Sequence, residues 1–327
     1  MAKAKRSAGR AEVSAAITNG RADARAALAF RAAQGKRRAK AVKEFESRPR
    51  RRRALEAAPA VPRRARALLG SSTSAGVLIA EGDSWFDYPF HDVLQILEDD
   101  YLYDVESVAH KGDCIEDMAH SGGQFADFAR RLEKLLRANK VPKAILLSGG
   151  GNDIAGDEFA ILLNHATSSL PALNEDILRG VIDVRLKNAY ARIIGGLTAI
   201  AQSYLGKPIP IVTHGYDFAL PDGRGFLGGA WILPGPWLEP GFRKKGYQDF
   251  VKNAAVVKQL INRFNVMLES VSVTPGFAHV KYLNLRGHLR TDPTTKEYKK
   301  DWANELHPSK DGFKTVTAEF ARLIAKL

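Results

Sequence analysis

Glu81-Gly82-Asp83-Ser84-Trp85 follows directly on the apolar run Val77-Leu78-Ile79-Ala80, so a serine hydroxyl leaves what reads as a buried strand at its carboxyl end. In open α/β sheets ligands bind in the crevice outside those ends, which makes Ser84 a candidate nucleophile. A serine needs a base to take its proton and donors to hold the oxyanion that follows. The candidate base is His307, in Asn304-Glu305-Leu306-His307-Pro308, ahead of a final amphipathic segment. Candidate donors end two further strand-like runs: Gly112 after Val105–Ala109, and Asn152 in Ser148-Gly149-Gly150-Gly151-Asn152-Asp153 after Ala144–Leu147. A glycine at such a turn lets its N–H approach a ligand closely.

The elements that must position these groups alternate along the chain. Strands are expected at Val77–Glu81, Asp104–Ala109, Ala144–Ser148, Ile209–Thr213 and His279–Leu285; helices at Phe90–Leu97, Gln124–Asn139, Asp183–Tyr204, Gln248–Ser270 and Phe313–Leu327. Apolar strands alternating with helices predict a mainly parallel sheet covered on both faces, a three-layer α/β/α sandwich.

Three strand ends carrying Ser84, Gly112 and Asn152, with His307 on a late loop, resemble the SGNH hydrolases, the GDSL-type esterase and lipase family, from about Val77 to the C-terminus. A Gly-x-Ser-x-Gly elbow is not found around Ser84, so the resemblance is not to the α/β-hydrolases. The resemblance implies a flavodoxin-like fold, Ser84 as nucleophile and His307 as general base. It also implies an oxyanion hole from the Ser84 and Gly112 N–H groups and the Asn152 side chain. The family normally places aspartate three residues before the histidine, where this chain has Asn304. An amide can orient the ring but supplies no charge. Three arrangements stay open: a Ser84–His307 dyad oriented by Asn304 or a backbone carbonyl, a displaced acid such as Asp301 or Glu305, or low activity. The expected reaction is hydrolysis of a small carboxylic ester through an acyl-enzyme. Alternatives are a carbohydrate O-acetyl esterase or thioesterase, and a non-catalytic binding protein that keeps the scaffold.

Charge divides the chain. Residues 1–67 hold 20 of the 49 Lys and Arg but 5 of the 36 acids, leaving +15 there and −2 in residues 68–327. The first segment is an Ala/Arg-rich extension, expected to be solvated and partly disordered or helical, with a polyanion such as nucleic acid or an acidic membrane surface as its partner. The 260 residues that follow suffice for one α/β domain. Within it, residues 216–242 are rich in aromatics, Gly and Pro, and are expected to fold over the crevice as a lid or binding wall. Trp85, His214, Trp231 and Trp237 are the candidate pocket or lid residues. The histidines show no metal-ligand spacing and no phosphate-binding loop is present, so neither metal nor cofactor is expected. One cysteine, Cys114, and no apolar run long enough to span a membrane point to the cytoplasm.

Overall fold

A computed structural model of the chain describes residues 2–46, 74–120, 123–228 and 234–327, with side chains in the first helix described from 10 to 37 except at 34. Five strands, β1 (Gly76–Glu81), β2 (Tyr103–Ser107), β3 (Ala144–Leu147), β4 (Ile211–His214) and β5 (Val280–Leu283), pair in parallel in the order β2-β1-β3-β4-β5. The helices are α1 (Ala2–Glu46), α2 (Val93–Asp99), α3 (Ile115–His120), α4 (Gln124–Arg137), α5 (Glu175–Leu178), α6 (Lys187–Leu205), α7 (Glu239–Lys244), α8 (Phe250–Ser272) and α9 (Lys310–Ile324). One side of the sheet carries α2 packed on α9; the other carries α3, α4 and α6 in mutual contact, with α8 against α6. This is the expected α/β/α sandwich. The direction in which successive strands are added to the sheet reverses between β1 and β3, and the crevice outside that switch point is where this topology binds ligands.

The inner strands explain the apolar runs: β3 and β4 are buried at all four residues, as are the last four residues of β1. Burying each such Leu, Ile or Val contributes about 1.5–3 kcal/mol, so the strand ends carrying the polar groups rest on a stiff platform. Helix α2 starts at Val93 rather than Phe90, because Phe90 sits at φ 77° and Asp92 is the cap, accepting from Gln95 N at 2.8 Å. The helix expected at Asp183–Tyr204 starts earlier, as α5 leads through a π-helical segment, Arg179–Leu186, into α6.

Residues 2–46 of the extension form helix α1, whose described side chains are mostly exposed but which packs one face on α6. Ile17 and Ala24 of α1 are buried, and a Cβ on Gly20 would lie 2.0 Å from the Arg192 carbonyl oxygen of α6. Gly195 and Gly196 make the reciprocal approach, to Ile17 and to the Gly20 carbonyl. Backbone contact between small residues therefore does what large side chains would otherwise do. Arg31 adds an ion pair with Glu133 of α4, a carboxylate 2% exposed, and donates to the Ala126 carbonyl. The Arg50–Arg53 run lies outside the described residues. No helix among the described residues is long and apolar enough to cross a membrane.

Candidate active site

Ser84 begins the turn after β1, where Asp83 accepts from Trp85 N at 3.0 Å and fixes the backbone on both sides of the serine. Its Oγ lies 2.7 Å from His307 Nε2. His307 sits on a loop closed by a Trp302–Pro308 bridge, and Ser309 caps α9 behind it. Gly312 lets the loop close, since a Cβ there would stand 2.1 Å from the Asp301 carbonyl oxygen.

Asn304 is the residue that orients the imidazole. Its Oδ1 accepts from His307 N at 2.9 Å and Leu306 N at 3.0 Å, and lies 2.9 Å from His307 Nδ1; its Nδ2 donates to Tyr88 Oη at 3.0 Å. The two backbone donors fix which end of the amide is oxygen, so Nδ1 carries the proton and Nε2 presents its lone pair to Ser84. Burial pushes the His307 pKa down to about 3, which keeps the ring a neutral base. The Tyr88 ring stacks on it with centroids 4.3 Å apart, and Trp237 meets it edge-on at 5.3 Å.

The two displaced acids are occupied elsewhere. Asp301 accepts from Arg290 N and Nη1, each at 2.7 Å. Glu305, fully buried, accepts from the N–H groups of Gly223, Trp237, Leu238 and Glu239 at 2.6–3.1 Å and so anchors both arms of the 216–242 loop. Desolvation raises its pKa against those four bonds.

Asn152 follows β3 and donates one amide proton to the Asp113 carbonyl at 2.9 Å, which ties it to the turn holding Gly112 at φ 91° and leaves its second amide proton uncommitted. Ser84, Asn152 and His307 line one pocket, completed by Ile154, Leu238, Val257, Leu260, Ile261 and Trp302; its wall is largely apolar. Trp85 also lines it and donates from Nε1 to the Leu306 carbonyl at 3.2 Å. His214 does not line it: at 0% exposure it lies behind Ser148, with Nε2 2.8 Å from Ser148 Oγ. The expectation of a pocket residue there fails because β4 is an inner strand, covered past its last residue. Trp231 lies outside the described residues.

Sequence reasoning missed a buried polar link among three strand ends. Asp83 accepts from Ser148 Oγ at 2.7 Å and from Tyr216 Oη, and Tyr216 Oη in turn accepts from Gly151 N at 3.3 Å. The carboxylate next to the nucleophile thereby holds the loop of Asn152. Asp83 was visible in the Gly-Asp-Ser triplet; its partners are 65 and 133 residues away, beyond any local signal.

No protein-family model matches the chain, and no curated protein matches it. Solved structures do. A GDSL-like lipase from Bacteroides thetaiotaomicron is 11% identical, with 86% of this chain and 98% of that one covered at a TM-score of 0.38. A candidate SGNH hydrolase from Slackia heliotrinireducens is 14% identical over 76% and 98% of the two chains, with a TM-score of 0.44. An acetylxylan esterase from Geobacillus stearothermophilus, in a catalytic mutant form, is 13% identical over 77% and 94%, with a TM-score of 0.37.

Proposed function

We propose that the chain is a serine esterase of the SGNH type that hydrolyses carboxylic esters through an acyl-enzyme on Ser84. The observation that carries the reading is the 2.7 Å contact of Ser84 Oγ with a His307 Nε2 whose opposite nitrogen is held by Asn304. His307 takes the Ser84 proton as Oγ attacks the ester carbonyl. The Ser84 N–H, the Gly112 N–H and the free Asn152 amide proton receive the oxyanion. Collapse expels the alcohol, protonated by His307, and a water activated by the same nitrogen releases the acyl group. Asn304 completes an orienting dyad, without a displaced acid. The largely apolar wall beside Ser84 favours a carboxylic ester with an apolar acyl chain over an acetylated sugar, and Trp237 and Phe226 supply its lid. Asn152→Ala should lower kcat about 10²- to 10³-fold on p-nitrophenyl butyrate while circular dichroism stays unchanged. Near-normal turnover would remove Asn152 from the oxyanion hole.

A second reading concerns α1. Arg10, Arg21, Arg25 and Lys36 are exposed, and spacings of 11, 4 and 11 residues keep them on one face over about 39 Å. Ile17 of α1 is spent against α6, and Phe30 is the one large apolar side chain that α1 exposes among the described residues, too little to seat the helix in a membrane surface, so the stripe suits a linear polyanion better. Fluorescence anisotropy with a DNA duplex should show binding that weakens steeply with salt, and changing the four residues to Gln should flatten that slope; no binding at low salt would reject the partner. The half-buried Cys114, the sole cysteine, suits a reducing compartment, and the cytoplasm is the proposed location.

A further inference from the structure

Among the described residues no carboxylate pairs with His307, yet the proposed reaction requires that ring to become a cation. Among the described residues only Tyr88 lies flat against it, with centroids 4.3 Å apart and planes 20° apart, within the range where an aromatic face attracts a cation. The Tyr88 ring is itself fixed, edge-on to Phe226 at 5.8 Å and tilted on Phe313 at 5.8 Å. Its hydroxyl oxygen accepts from Asn304 Nδ2, the bond that completes the orientation of the amide. Asp301 and Glu305, the two acids that most closely precede it in sequence, are committed to Arg290 and to the 216–242 loop.

Resting on the esterase reading, we infer that Tyr88 takes over the missing acid's charge-stabilising role: its π face stabilises the His307 imidazolium that forms as Ser84 attacks, while its hydroxyl holds Asn304 in register. The two roles separate by substitution. Tyr88→Phe keeps the face and loses the hydroxyl; Tyr88→Leu keeps apolar bulk and loses the face.

The test measures kcat and KM on p-nitrophenyl butyrate for both variants, in the native background and in Asn304→Asp. Tyr88→Leu should lower kcat about 30-fold with KM within about twofold, and Tyr88→Phe only about threefold. In Asn304→Asp the Tyr88→Leu loss should shrink to a few-fold, because a carboxylate then supplies the charge. An equal loss in both backgrounds, or a Phe variant as impaired as Leu, would overturn the proposal by reducing the ring to packing. A second readout needs no turnover: in Asn304→Asp combined with Ser84→Ala, Tyr88→Leu should lower the NMR-titrated pKa of His307 by about half a unit, matching the few-fold loss in rate. An unchanged pKa overturns the proposal, whereas ester turnover that persists in Ser84→Ala counts against the esterase reading alone.

Discussion

Replacing Asn304 by aspartate should make the proposed ester hydrolysis faster at neutral pH and less tolerant of acid. The site is already built for a carboxylate: His307 N, Leu306 N and His307 Nδ1–H point at Oδ1, and the Tyr88 hydroxyl can turn to donate to the atom that replaces Nδ2. A full charge about 4 Å from the imidazolium is worth roughly 4 kcal/mol at an effective dielectric near 20, or about three pKa units. His307 would then rise from about 3 to the neighbourhood of 6. Because the tautomer is already correct, the gain in kcat falls short of the roughly 10⁴-fold that an Asp to Asn change costs elsewhere; about 10²- to 10³-fold is expected. The sign reverses with acidity. The native base stays neutral down to about pH 4, whereas the variant's base protonates below about pH 6 and its advantage shrinks about tenfold per unit. Initial rates on p-nitrophenyl butyrate from pH 4 to 9 are the assay. No gain at pH 8, or an acid limb that does not move, would refute the electrostatic reasoning.

Other expectations concern stability and the loop. Burial raises the Glu81 pKa to about 8 from its ordinary 4.5, so between those values the unfolded chain ionises while the folded one does not, and stability is lost as pH rises. Glu81→Gln should therefore raise Tm at pH 8 and change it little at pH 5, a difference of about 4 kcal/mol in full; equal effects at both pH values would contradict the shift. Glu305→Ala leaves four N–H groups, one buried and three part-buried, without their acceptor and should cost about 3 kcal/mol or more in urea unfolding, with kcat falling as Trp237 loosens. Gly20→Leu drives a side chain into the Arg192 carbonyl and should free α1 to limited proteolysis while ester hydrolysis is retained.

The strands that lead to Ser84 and Asn152 are legible because they share one signal: an apolar run followed by Gly with Ser, Asn or Asp marks an inner parallel strand and the polar group beyond its end. Ser84 and Asn152 line one pocket as that pattern implies, and His307 joins them from its late loop. What stayed hidden depends on partners distant in sequence. Whether Asn304, Asp301 or Glu305 faces Nδ1 turns on which donors each meets, and Glu305 meets N–H groups 66 to 82 residues away. His214 follows a strand just as Asn152 does, yet β4 ends under cover while β3 opens at the switch point. Helix α1 looked unburiable because its contact with α6 is made by glycines, which carry no hydrophobic signal. Tyr88 reads as one more aromatic after the nucleophile until residue 307 is folded onto it.

The central claim is that Ser84 is a nucleophile driven by His307. The most direct test treats native protein, Ser84→Ala and His307→Ala with a fluorophosphonate, and maps the adduct by mass spectrometry alongside p-nitrophenyl ester turnover. One adduct per chain on Ser84, formed slowly in His307→Ala and absent together with turnover in Ser84→Ala, is the result expected. Ester turnover that persists in Ser84→Ala, or an adduct on another residue, would contradict the account.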